Sequence, residues 1–328
     1  MANDTSTGYS TNWNQDNLPG SRLITFSPIM YPFLSRITKP VKASKSTEFA
    51  MTAQYALETD AQTAITEAEA VAGQTAITYN LTNETNYIQI LQQAVNISDL
   101  SASSQDRLVI SEVGSSGLGY TASPNQSGRG ALLPHHLTLA QQQLYGTLEY
   151  SALNGTKTNA TTASVAALMG GILKSVSTAT VDGSTGDLTK AMIDELMLEM
   201  QTAGAKFANP VIFCNGFQKQ NLSKIFGYQP ASLDSGGVAI DVLRTDFGVW
   251  EIIVSKRIPT DDILFADMEE VSLVTLPVPG SSYMPDGLFR YNEKEKAGAS
   301  EGGELYAQLS VDFGSEKMHG SVTNLSTS

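Results

Sequence analysis

The chain has 328 residues, 41% of them hydrophobic and 16% charged, enough for a substantial core in roughly one to three domains. Lys plus Arg total 20 against 33 Asp plus Glu, a net charge of −13, which argues against nucleic-acid binding through a globally basic surface but leaves room for a local basic patch. A single cysteine, Cys214, excludes an intrachain disulfide or a cysteine-built zinc site, and no apolar run approaches the about 18 residues of a membrane-crossing helix.

The opening residues, 1–20, are polar and lack the basic-then-apolar order of a signal peptide, so a soluble protein made in a reducing cytoplasm is expected. Residues 1–45 read as an arm. Prolines at 19, 28, 32 and 40 favour extended chain, and the apolar stretch 28–34 suits docking on a surface, the chain's own or a neighbour's. Arg36, Lys39, Lys42 and Lys45 follow as a spaced basic run. That run either faces phosphate, pairs with acidic groups of another subunit, or is an ordinary solvated segment.

Residues 46–57 alternate, with Phe49, Met51, Ala53, Tyr55 and Leu57 expected on one face of a strand. Ile77, Tyr79 and Leu81 repeat the period of two. The two runs predict a long antiparallel hairpin whose tip, 58–73, is rich in Ala and carries Asp60, Glu67 and Glu69. Two strands alone are marginal in water, so a projecting hairpin needs a covering surface from elsewhere. The plainer reading folds it back on its own sheet.

A strand with a bulge at Gln92-Gln93 is expected over 87–98, then a Ser- and Gly-rich loop over 101–130. The spacing of Leu133, Leu137, Ala140, Leu144, Leu148 and Ala152 predicts a helix over 134–153, opened by Pro134, closed by Asn154-Gly155 and weakened by Gly146. A short helix is expected at 163–173. A stronger one starts from Asp187 as N-cap, carries Leu188, Met192, Leu196 and Met200 as its stripe, and stops at Gly204. The apolar run 211–215 reads as a buried strand and 217–226 as a helix. Strands follow at 238–244 and 249–255, joined by a turn over 245–248, and at 263–266 and 271–276. A charged loop at 292–303 precedes strands at 304–313 and 318–324.

Motifs for chemistry are scarce. His135 and His136 are adjacent, and about 100° apart on a helix they do not share one metal as an i, i+4 pair does. Cys214 sits inside an apolar strand and reads as core. Gly128-Arg-Gly130 lacks the rest of a dinucleotide fingerprint. There is no phosphate-binding Gly-rich loop and no Gly-x-Ser-x-Gly elbow. The pairs Asp261-Asp262 and Glu269-Glu270 read as solvated carboxylates. Neither a cofactor nor a metal is expected.

The order of these pieces resembles the major capsid proteins of tailed bacteriophages with the Hong Kong 97-type fold. The resemblance spans about residues 20–325 and lies in segment order. Its carriers are the helix ending in 148–155, the helix–strand–helix unit 187–227, and the hairpin 240–255 with its Asp246-Phe247-Gly248 turn, followed by Ile258 to Asp267. It implies an α+β Hong Kong 97-like fold. Its parts would be an N-terminal arm (1–45), an extended β-hairpin loop (46–82), a peripheral domain (83–155 and 281–328) with a spine helix, and an axial domain (156–280).

It also implies hexamers and pentamers forming an icosahedral head shell around double-stranded DNA, contacted without sequence specificity, in a virion assembled in the host cytoplasm. Homo-oligomeric contacts are then expected at Phe49, Met51, Tyr55, Ile77, Tyr79, Arg36, Lys39, Lys42, Lys45, Glu67 and Glu69. A portal protein and a separate scaffolding protein would be partners, because no helical scaffolding prefix is seen; no membrane and no enzymatic role are implied. Some members cross-link chains through a Lys and an Asn, and no residues here match that reaction. An encapsulin-like bacterial compartment shell is the alternative, and a compact cytoplasmic α+β enzyme or binding protein a further one. If the hairpin serves assembly, replacing Tyr55 and Tyr79 with Glu should preserve the subunit's circular dichroism while abolishing particles; unfolding would make the hairpin internal core.

Overall fold

A computed structural model of the chain describes residues 31–55, 64–73, 81–99, 129–162, 164–226, 241–278, 287–293 and 298–327. Its centre is one long strand. β12 (Ser300–Asp312) pairs antiparallel with β4 (Gln89–Ser98) from Ser300↔Ser98 to Leu309↔Gln89. Along its other edge it holds β11 (Arg290–Glu293) and then β10 (Ser272–Thr275). β1 (Lys42–Ala43) adds in parallel to β10, completing a five-stranded sheet.

A second sheet has six strands in the order β5 (Thr180–Asp182), β13 (Gly320–Thr323), β9 (Ile263–Asp267), β6 (Pro210–Cys214), β8 (Gly248–Val254) and β7 (Val242–Thr245). The chain crosses between the sheets more than once. β10 follows β9 but pairs in the five-stranded sheet, while β13 follows β12 but inserts between β5 and β9.

The spine helix, α2 (Arg129–Asn154), has 26 residues and a length of about 39 Å. Its stripe of Leu133, Leu137, Ala140, Leu144, Leu148 and Ala152 is buried and packs over β4 and β12. Other faces of the same core come from β6 and β9. In β6, Val211 and Phe213 join the spine-helix core, and Ile212 and Cys214 join a second core. β9 divides likewise, with Leu264 and Ala266 on one side and Ile263 and Phe265 on the other. Both strands are covered on both faces, hence their unbroken apolar runs. The second core is closed by Trp250 and by α4 (Lys190–Thr202), through Ile193, Leu196, Met197 and Met200.

Several expectations need correction. The spine helix starts five residues before Pro134, which therefore lies in the second turn and forgoes one backbone bond there. Thr189, not Asp187, caps α4, its Oγ1 accepting from the Met192 amide at 3.3 Å. Gly204 follows that helix at φ +95°, a conformation glycine reaches without strain. The helix expected over 163–173 shrinks to α3 (Ile172–Ser175), because Gly170-Gly171 resist helix and Thr158 bridges Leu168 instead. The β4 register runs unbroken through Gln92-Gln93, without a bulge. The turn over 245–248 lies where expected, with Thr245 paired to Gly248 across its two central residues. β11 runs into the stretch expected as a charged loop, β12 already begins within it, and β5 lies where no strand is expected.

His319 is fully buried between the cores. Its Nδ1 accepts from the Asp267 amide at 3.3 Å and its Nε2 reaches the Phe313 carbonyl at 2.7 Å. Burial lowers its pKa, against the opposing pull of the Phe313 carbonyl and nearby carboxylates. The neutral ring is therefore the folded form, and its stabilising share is lost as pH falls below the unfolded value of about 6.5. Wild type minus His319→Gln, compared by urea unfolding, should show stability falling on acidification by up to about 1.4 kcal/mol per pH unit.

Candidate assembly interface

The predicted hairpin is present. β2 (Glu48–Tyr55) pairs antiparallel with β3 (Leu81–Tyr87), and among the described strands the two pair only with each other. Its second strand is described only from Leu81, so Ile77 and Tyr79 lie outside the described residues. The expected single face is not formed. A bulge at Met51 shifts the register, so Phe49 opposes Asn86 and Thr52 opposes Glu84, while Tyr55 opposes Leu81. One extra residue flips the parity, which puts Phe49 and Ala53 on opposite faces. Met51 itself is half-buried against the spine-helix core of its own chain.

Polar groups fix the hairpin's root. Asn86 is buried; its Nδ2 donates to the Gly170 and Val311 carbonyls at 3.1 and 2.9 Å, and its Oδ1 accepts from the Gly170 amide at 2.7 Å. Glu84 accepts from the Glu316 amide at 2.9 Å and from Ser315 Oγ at 3.1 Å. Lys157 donates to Thr85 and sits 5.4 Å from the centre of the Tyr87 ring. At the far end lies a one-turn-and-a-half helix, α1 (Glu67–Ala72). Thr66 and Glu69 form its capping box, and these bonds hold the Glu69 carboxyl below its ordinary range. Every described residue from 64 to 73 is exposed, including Ile65 and Val71, the latter 84% exposed. Glu67 and Glu69 therefore face outward with apolar neighbours at an uncovered tip.

The arm behaves differently from 31 to 45, where it docks on its own chain. Phe33 is fully buried and stacks edge-on against Phe213, with ring centres 5.5 Å apart. The Tyr31 hydroxyl donates to the Gln142 carbonyl on the spine helix. Arg36 pairs with Glu251 and Lys42 with Asp312, so both of these basic candidates have partners within the subunit. The exposed Arg36 pair is worth about 0–1 kcal/mol, whereas the Lys42 pair ends on a buried carboxylate. Lys39 is half-buried and Lys45 exposed, and neither makes an ion pair among the described residues.

The candidates for chemistry remain dispersed. Among the described residues, no group of three or more His, Cys, Asp or Glu is placed to hold a metal ion. Cys214 is buried, and burial pushes its thiol up to about 12, unsuited to a nucleophile. Asp262 is raised by burial and by the charge of Asp261. A shallow groove on the polar side of β12 is lined by Gln92, Asn292 and Glu304, which bond to one another across strands.

Sequence reasoning missed Asn86 and Glu84, which look ordinary within a Thr- and Asn-rich run. It also missed Glu149 and Arg257, although Glu149 is the only charge on the helix between Gln141 and Asn154. Gly146 has a similar explanation: a Cβ there would lie 2.5 Å from Arg257 Nη2, so the crossing of that guanidinium accounts for the weak helix former. Asn86→Ala leaves at least two buried backbone groups of Gly170 and Val311 unpaired and should cost about 2–4 kcal/mol in chemical denaturation.

Comparison with known proteins gives a consistent outcome. The sequence profile described as SU10 major capsid protein matches residues 5–326. No curated protein matches the chain. Among solved structures, the capsid of Cyanophage A-1(L) superposes with a TM-score of 0.60 at 12% identity, covering 97% of each chain. The capsid of a native GTA particle gives 0.58 at 12% identity, covering 95% of each chain. The SrpI encapsulin of Synechococcus elongatus PCC 7942 gives 0.53 at 11% identity, covering 97% of this chain and 94% of its own. At these identities the structural likeness speaks for the fold, which is the Hong Kong 97-type α+β capsid fold. The matched profile, covering nearly the whole sequence, carries the function: this chain belongs to the SU10 major capsid protein family and is a shell-forming structural protein of the virion.

Proposed function

We propose that copies of this chain assemble into hexamers and pentamers that tile an icosahedral head around double-stranded DNA. Assembly takes place in the cytoplasm of a bacterial host with a separate scaffolding protein, and a portal protein occupies one vertex. The chain performs no catalysis of its own. The observation that carries this reading is the β2–β3 hairpin, a two-stranded ribbon with an outward-facing acidic and apolar tip. Such a ribbon gains little from its own subunit beyond the root. Contact with sibling subunits would bury Ile65 and Val71, and many modest contacts of this kind add through multivalency.

Within this reading the intersubunit contacts come from Phe49, Tyr55, Ile77, Tyr79, Glu67 and Glu69. Lys39 and Lys45 are the arm's cations available to a neighbour's carboxylates or to phosphate. Met51, Arg36 and Lys42, already engaged with their own body, contribute less. DNA contact is non-specific and depends on counterions, as a net charge of −13 requires.

The likeness to the SrpI encapsulin favours one second reading, a compartment shell with a protein cargo. Particles recovered from native host cells separate the two, since packaged double-stranded DNA fits the head and its absence fits the compartment. For the assembly itself, the purified chain, alone and with a scaffolding protein, should yield particles some tens of nanometres wide in negative stain. Ile65→Glu combined with Val71→Glu should leave subunit stability within about 0.5 kcal/mol of wild type yet sharply lower particle yield. Undiminished assembly of that variant would remove the tip from the interface.

A further inference from the structure

Glu149 is a carboxylate in the C-terminal part of the spine helix, fully buried, on the side where the arm crosses. Its Oε2 accepts from the Leu34 amide of the arm at 3.5 Å. Its Oε1 has no hydrogen-bond partner and lies 3.8 Å from Arg257 Nη1, too far for a bond. Arg257, which follows β8, crosses the helix at Gly146 and lies 5.5 Å from the Tyr31 ring centre. The titratable groups facing the carboxyl are thus Arg257 from that loop and Tyr31 from the arm. The helix adds only the phenol of Tyr145, whose ring meets that of Tyr31 at 5.6 Å, and β6 presents the apolar Phe213.

We infer that docking of residues 31–37 on the spine helix is linked to proton uptake by Glu149: the arm is held while the carboxyl is neutral and loosens when it ionises. A fully buried anion is costly, and a guanidinium at 3.8 Å with long contacts from the arm and from Ser255 does not repay the lost water. Burial accordingly pushes the carboxyl up to about 7, outweighing the Leu34 amide, Arg257, the Phe33 amide and the Ser255 hydroxyl, which pull it down. Lifting the arm admits water and returns the group toward its ordinary 4.5. The folded value is the raised one, so the stabilisation is complete below the ordinary value and is lost as pH rises through 7. Between pH 6 and pH 8 the docking equilibrium should weaken about tenfold.

Hydrogen exchange on the full-length chain, corrected for the intrinsic pH dependence, tests this at the amides of residues 33–37. Wild type should lose about tenfold protection from pH 6 to pH 8, while Glu149→Gln, permanently neutral, should stay flat. A flat wild type, or a variant as steep as wild type, overturns the proposal. Should the variant fail to fold, a carbon NMR titration of the wild-type Glu149 carboxyl decides: a midpoint near 7 supports the linkage, and one below about 5 overturns it.

Discussion

The double burial of β6 and β9 is the constraint on which the rest of the molecule depends. Each strand sends alternate side chains into the spine-helix core and into the α4 core, so neither core is complete without them. Phe213 shows the consequence at a single residue. It fills the space beside the spine helix and also receives Phe33 of the arm. The position of the arm is therefore set by a strand of the six-stranded sheet, through the edge-on contact of the two rings.

The two extensions are attached by opposite means. The arm is held by an apolar anchor, Phe33, with polar contacts around it. The hairpin is held by a polar hub, Asn86, whose side-chain amide meets four backbone groups, with little apolar burial beyond Met51. Apolar anchors are forgiving of angle, whereas a side chain with several directed bonds is not. The direction in which the ribbon leaves the body is thus specified more tightly than its small buried area suggests. Under the proposed assembly, that direction would decide which neighbour the tip meets.

How much of this was legible in the sequence depended on whether a signal was periodic. The spine helix declared itself through Leu133 to Ala152, and β6 and β9 through apolar runs that only doubly covered strands carry. The hairpin was readable as two alternating strands, but Met51 broke the face assignment, since a bulge leaves no mark in a pattern of period two. The short strands β5 and β11 were invisible because they are half-exposed and gain their place from β13 and β12 rather than from their own composition. The arm's cations were readable as a run, but not as pairs, because Glu251 and Asp312 are distant in sequence. Asn86 and Glu149 lay beyond reach for the same reason: their meaning comes from what folds against them.

The insertion of β13 between β5 and β9 has a temporal side. Thr180 and Ser321, neighbours across that parallel pair, are 141 positions apart in the chain. At ordinary translation speeds the ribosome needs on the order of ten seconds to travel between them. Until it does, β5 and β9 each wait with a vacant edge, and the six-stranded sheet stays divided. A nascent chain is thereby kept from offering a finished building block until β13 has left the ribosome.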